Sequence, residues 1–276
     1  MPRNNESRLG TEKTEKDPPI PEKKSVLDFV LPTEFVDLPT QGRFYPEDHP
    51  LHNVDAIEIR YMTAKDTDIL TSKSLLKKGI AIDRMLQNVI VDKNIKVNEL
   101  FLGDKNAILV ASRINGFGEQ YEVKVGCTSC GISSNHAFDL SEIKSKEAPE
   151  DIKISDDGTF SIMLPKTEIE VKCRLLSGKD EDKLFASSLS NKKHKLEENT
   201  LTNQFRMLIV SLNGETDRRL VEKFIEVMPA LDSNFLRKKY ESIVPNVDLD
   251  FDFVCPECDA ETVIDMPFST EFFWPN

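Results

Sequence analysis

The 276 residues carry 36 Lys and Arg against 48 Asp and Glu, giving a net charge of −12, and 39% of them are hydrophobic. That length is ample for a buried core in one large domain or two small ones. The acidic balance argues against a general binder of nucleic acid or anionic membrane, which needs a local excess of Lys and Arg. No apolar run approaches the roughly 18 residues of a membrane span. The start of the chain lacks the apolar stretch of a secretory signal, so its five cysteines are expected to stay reduced in a cytosol.

Residues 1–24 hold six basic and five acidic residues and the cluster Pro18-Pro19-Ile20-Pro21, with almost nothing that could pack. They read as a disordered tail, with a partner-docking peptide as the alternative. Order is expected from about residue 25. Leu38 to Leu51 mixes turn formers with aromatics, a loop able to present Phe44 and Tyr45 as anchors for a partner. Ala56 to Met62 alternates apolar and polar residues, which predicts a strand with Ile57, Ile59 and Tyr61 on one face. Thr63-Ala64-Lys65-Asp66 has the form of a capping box with Asp in place of Glu, opening a helix that Gly79 ends. Helices are predicted at roughly 81–91 and 104–114, then a strand from Gln120 to Val125. The knuckle Cys127-Thr128-Ser129-Cys130-Gly131 follows, with a returning strand at Ala137–Leu140.

Residues 141–163 read as a polar connector and a hairpin turning at Asp156-Asp157-Gly158. A strand is predicted at Glu168–Leu175, an exposed link at 190–199, and helices at roughly 200–212, 217–227 and 232–242. The last strands flank a second knuckle, Cys255-Pro256-Glu257-Cys258.

The second half repeats the plan of the first. Arg60 to Asp68 aligns with Arg174 to Asp182, Arg84-Met85-Leu86 with Arg206-Met207-Leu208, and Cys127 and Cys130 with Cys255 and Cys258. Leu38-Pro39 and Leu164-Pro165 open the two copies. The expected fold is α+β, with duplicated strand–helices–strand–Cys-x-x-Cys units over 25–140 and 164–276 joined by a four-cysteine zinc ribbon.

Two Cys-x-x-Cys turns can each aim two thiolates at one ion, and four thiolates make a closed tetrahedral zinc site. Cys127, Cys130, Cys255 and Cys258 are the candidate ligands, although 125 residues separate Cys130 from Cys255. Two unmetallated turns and a redox or disulfide pair are the competing readings. Gly131 and Asp259 occupy the same place after the second cysteine, where positive φ is often needed. His136 reads as a solvated loop histidine and Cys173 as an ordinary buried thiol.

Residues 248–265 contain seven acidic residues and no Lys or Arg, which would repel a phosphate backbone. A zinc-ribbon nucleic-acid-binding or transcription factor is therefore the alternative rather than the first reading. No phosphate loop, nucleophile elbow or His-Glu-x-x-His helix is present, so no catalytic residue is assigned. Asp66, Asp68, Asp180 and Asp182 lie just inside helix starts and read as capping groups. The stretch Phe268 to Asn276 carries Trp274, which either packs back on the core or anchors a partner.

In its ordered set of motifs the chain resembles the baseplate hub subunits and hub-assembly proteins of T-even-type contractile-tailed bacteriophages. The motifs are Leu38 to Pro46, His49-Pro50-Leu51, Ile59 to Asp66, Asp68-Ile69-Leu70, Leu102 to Leu109 and Gly116-Phe117-Gly118. Beyond residue 140 the likeness rests on Leu164-Pro165, Arg174 to Gly178 and the second knuckle. The resemblance implies a non-enzymatic component or assembly factor of the baseplate hub. Its partners would be hub, tail-tube or tape-measure proteins, in the host cytoplasm during assembly or in the virion tail. It implies neither nucleic acid nor membrane as a partner, and it leaves the oligomeric state open.

Overall fold

The computed structural model describes residues 31–146, 149, 152–194, 199–265 and 272–273. The predicted tail at 1–24 and Trp274 lie outside these residues. The chain opens with strands β1 (Thr33–Asp37) and β2 (Ala56–Arg60), paired antiparallel with Phe35 opposite Glu58. Alternation buries Ile57 and Ile59, while Tyr61 is half-buried. The helix predicted from Thr63 to Gly79 is interrupted at Ser72. It forms α1 (Ala64–Thr71) and α2 (Lys73–Lys78), which Gly79 closes in the left-handed conformation.

Helix α3 (Ala81–Val89) buries Ala81, Met85, Leu86 and Val89 on one stripe. Helix α4 (Leu102–Phe117) is buried on most of its sides and forms the spine of the first half. At Gly103 a Cβ would sit 2.0 Å from the carbonyl oxygen of Pro245, so only glycine allows the two backbones to meet there. Strands β3 (Gln120–Gly126) and β4 (Ser133–Asp139) form the hairpin of the first knuckle. Short β5 (Ser145–Lys146) follows.

Strand β6 (Thr159–Met163) pairs with β7 (Glu170–Arg174), and β7 with β8 (Ile209–Leu212). Helices α5 (Gly178–His194) and α6 (Thr200–Leu208) lie between β7 and β8. After β8 come α7 (Arg218–Val227), α8 (Ala230–Ile243), β9 (Asn246–Val247), and the second knuckle hairpin of β10 (Asp250–Val254) and β11 (Glu261–Asp265). Strand β9 pairs back to β5.

Three expectations need correction. The hairpin expected within 141–163, turning at Asp156-Asp157-Gly158, does not form there. Asp157 and Gly158 do turn the chain, with the Gly158 N–H donating to Ser155, but β6 finds its partner in β7 across Leu164 to Ile169. The helix expected over 200–212 stops at Leu208, because Ile209 to Leu212 gains more by completing the sheet. The link expected at 190–199 is helical as far as His194.

Two apolar cores result. The first gathers residues from Leu38 to Leu140 together with Val247, Phe253, Cys255, Phe272 and Phe273. The second gathers residues from Phe160 to Ile243, and Phe101 packs against both. Backbone bonds from Leu102 N to Leu176 O (3.0 Å) and from Gly178 N to Leu100 O (2.9 Å) stitch the halves. Lys105, nearly buried, joins Asp83 of α3 at 2.5 Å and Glu181 of α5 at 2.6 Å. Arg113 of α4 donates from Nε to Phe272 O (3.0 Å), from Nη1 to Gly118 O (2.8 Å) and from Nη2 to Gln120 O (3.2 Å), fixing the end of the chain to the spine.

The turn from strand to helix is built identically in the two halves. Arg60 grips Asp66 with both terminal nitrogens (2.7 and 3.0 Å) and donates to Tyr61 O, while Thr63 donates its N–H (2.9 Å) and hydroxyl (2.8 Å) to the same carboxylate. Arg174 grips Asp180 (2.8 and 2.7 Å) and donates to Leu175 O, and Ser177 donates its N–H (3.0 Å) and hydroxyl (3.1 Å). Burial opposes the charge on Asp66, but the Arg60 guanidinium and the two Thr63 donors outweigh it and hold the carboxyl at about 2. Asp180 is lowered by the same balance of burial against Arg174 and Ser177.

A carboxyl lowered in the folded state stabilises above its ordinary pKa, and that stability fades as pH falls toward the folded value. Asp66→Asn is therefore expected to lose about 2 kcal/mol at neutral pH. The penalty should shrink steadily from pH 4 toward pH 2 when urea unfolding of variant and wild type is compared. An equal penalty at both ends of that range would remove Asp66 from this role.

Candidate metal centre

Each knuckle is a tight turn between two strands, held by the same two backbone bonds. Cys127 N donates to Ile132 O (2.9 Å) and Gly131 N to Cys127 O (3.0 Å). Cys255 N donates to Ala260 O (3.0 Å) and Asp259 N to Cys255 O (2.9 Å). Gly131 has φ of 75° and Asp259 of 53°, the positive values expected from their shared position.

The two turns meet. The Cys127 and Cys258 sulfurs are 3.7 Å apart and those of Cys130 and Cys255 3.8 Å, and all four lie within 4.8 Å of one another. A disulfide would hold two sulfurs at about 2.05 Å, and all four thiols are free. A tetrahedron of thiolates about 2.3 Å from a central zinc has edges of about 3.8 Å. The observed spacing fits that edge, so the four cysteines can hold a metal ion. Two are buried and two exposed, which places the cluster at the surface under the turns.

The thiols differ in acidity. The N–H groups of Cys130 and Ser129 favour the Cys127 thiolate and bring it down to about 6. At Cys258 the Ala260 N–H acts in the same direction, but burial and the other three sulfurs outweigh it and push the thiol up to about 12. Four anionic sulfurs do not share this volume without a cation. Among the described residues these sulfurs form the one group of metal-ligand type. His136 stands apart from it, its ring 4.5 Å from Phe138 and 5.4 Å from Phe253. Cys173 is fully buried on β7, and burial pushes its thiol up to about 12.

Tyr45 points inward, which corrects the outward role expected of it. It is 3% exposed, stacks on His49 at 4.4 Å, and donates its hydroxyl to Asp104 Oδ2 at 2.7 Å. Phe44 is half-buried against the second core. Asp104, fully buried in the first turn of α4, also accepts the Thr40 N–H (3.0 Å) and hydroxyl (2.6 Å). Asp232, fully buried in the first turn of α8, accepts Lys166 N (2.8 Å) and Thr167 N (3.0 Å). Each acid thus ties the Leu-Pro turn of its half to a helix start. Sequence reasoning missed both, although Asp104 and Asp232 are as far apart as Cys127 and Cys255. Burial raises the Asp104 pKa against the opposing bonds from Thr40 and Tyr45.

The geometry defines a class: an α+β building block whose far-apart halves meet at a four-cysteine cluster. Residues 33–274 match the family described as T4 bacteriophage base plate protein, and the chain belongs to that family. No curated protein and no solved structure matched it. Among the described residues no helix is long and apolar enough to cross a membrane.

Asp104→Ala strands three buried donors and is expected to destabilise by about 3 kcal/mol, whereas Tyr45→Phe removes two bonds, the one donated to Asp104 and the one accepted from Phe101 N (3.1 Å), and costs about 2 kcal/mol. Chemical unfolding of the two variants checks the ranking, and a Tyr45→Phe penalty equal to that of Asp104→Ala would contradict it.

Proposed function

We propose that the chain is a non-enzymatic structural protein of the phage tail baseplate, serving its central hub as a subunit or assembly factor. In this reading Cys127, Cys130, Cys255 and Cys258 hold one structural zinc ion. Membership of the baseplate family over residues 33–274 supports the placement in a tail. The hub assignment is supported by the motif resemblance, and the partners it suggests are hub, tail-tube or tape-measure proteins of the same particle. Assembly would take place in the host cytoplasm.

The observation that carries the metal reading is the sulfur spacing of 3.7 and 3.8 Å between knuckles from opposite halves. Four sulfurs close the coordination sphere and leave no position for water or substrate, which suits a structural ion and not a hydrolytic one. The ion would clamp the two halves, joining what the chain itself connects only through long intervening segments.

We read the halves as copies of one ancestral unit. Support comes from the matched Arg–Asp grips, the matched acid ties at Asp104 and Asp232, and the matched knuckles. On this view the units run over 25–140 and 164–276, with β6 standing just ahead of Leu164-Pro165 as β1 stands just ahead of Leu38-Pro39.

Elemental analysis of protein purified under reducing conditions is expected to find one zinc per chain. Cys127→Ser or Cys255→Ser should release it and lower stability by several kcal/mol, on the order of the coupling seen in structural zinc sites. Absence of bound zinc in the wild type would end the metal reading. Phage lacking the coding sequence should accumulate tails without complete baseplates in negative-stain micrographs, and normal tails would overturn the assembly role.

A further inference from the structure

We infer that copies of this chain associate head to tail, the acidic outer face of the β10–β11 hairpin of one copy seating in an apolar groove along α8 of the next. Helix α8 buries Asp232, Leu236, Tyr240 and Ile243. It therefore turns outward the stripe Leu231, Asn234, Phe235, Lys238 and Ser242, one helix face at steps of three and four. Leu231 is 61% exposed and Phe235 37%. With Pro165 they line a largely apolar cavity of about 540 Å³, with Lys238 and Lys239 toward its C-terminal end. This is a cationic rim on a chain whose net charge is −12.

The complementary face lies on the second knuckle. The register sets Asp252 opposite Val263 and Val254 opposite Glu261. Alternation turns Phe253 inward and Asp250, Asp252 and Val254 outward. Val254 is 52% exposed and Val263 60%. Two valines thus stand in a frame of carboxylates; residues 248–265 carry no Lys or Arg, and among the described residues Lys144 is the one cation lining the adjoining cleft with Asp250 and Asp252.

Copies with this net charge repel one another unless patches of unlike sign meet. The groove supplies apolar surface and ammonium groups, and the hairpin supplies apolar surface and carboxylates. Apolar burial gives the attraction, and the charges give orientation and selectivity. Because groove and hairpin are different surfaces, the contact is heterologous. Each copy keeps one of each for a further neighbour, which makes a ring or a filament. The inference uses neither the bound metal nor the hub assignment.

Sedimentation velocity of the full chain over a concentration series tests it. Self-association is expected at low salt, weakening at least about tenfold as ionic strength rises from about 0.05 to 0.5 M. The double variant Lys238→Glu/Lys239→Glu should lose association, and so should Asp252→Lys/Glu261→Lys. Mixing the two variants should restore it, since the acidic groove of one then faces the basic hairpin of the other. Circular dichroism of each variant checks the fold. Phe235→Ala and Val263→Ala, both at exposed positions, give a second route and should each weaken association at least about threefold. A chain that stays monomeric at low salt, or charge reversals whose mixture does not recover association, would overturn the proposal. So would binding of an acidic peptide in the groove while the chain itself remains monomeric.

Discussion

The constraint that governs this structure is the meeting of two cysteine pairs that stand 125 residues apart in the chain. Neither knuckle could form a four-sulfur cluster alone, since each offers two thiols. Everything between them must fold so that the β3–β4 and β10–β11 hairpins pack against each other, Phe138 against Phe251 and His136 against Phe253, and bring their turns together. The ties that achieve this are short. They are the backbone bonds joining Leu100 and Leu102 to Gly178 and Leu176, the Lys105 bridge between α3 and α5, and the close approach of Gly103 to Pro245. Four convergent thiols at the point where the halves touch can hold a metal ion.

The same local solution appears twice in each role. A buried carboxylate at the third helical position is gripped by an arginine from the preceding strand, and a second buried carboxylate holds a Leu-Pro turn. Desolvating a carboxylate is expensive, and in the first motif a guanidinium and two further donors offset that expense. Such a group fixes an angle between strand and helix more sharply than apolar contact can, because it stays satisfied over a narrow range of geometry.

What could be read from the sequence was the chemistry carried by neighbours. The cap at Thr63 and Asp66, the stop at Gly79, the positive φ at Gly131 and Asp259 and the alternating β2 all depend on residues within a few positions, and all are present. The cysteine cluster was legible because thiol spacing is chemically specific. Features set by distant partners were not legible. Ile209 to Leu212 continues the apolar pattern of α6, and only its pairing with β7 makes it a strand. Asp157 and Gly158 announce a turn, but the partner of β6 lies beyond Leu164. Tyr45 sits in a loop with no local reason to turn inward, and the reason is Asp104, 59 residues away. Strand β1 is poor in apolar alternation and takes its form from β2.

The first core contains Phe253, Phe272 and Phe273, side chains from the far end of the chain. During synthesis the opening half therefore leaves the ribosome with its hydrophobic interior incomplete. It must wait, partly open, while the second half is made. Contacts spanning so much sequence fold slowly and leave apolar surface uncovered in the interval. Synthesis as far as Phe273, more than local folding, thus sets when this building block becomes safe from aggregation.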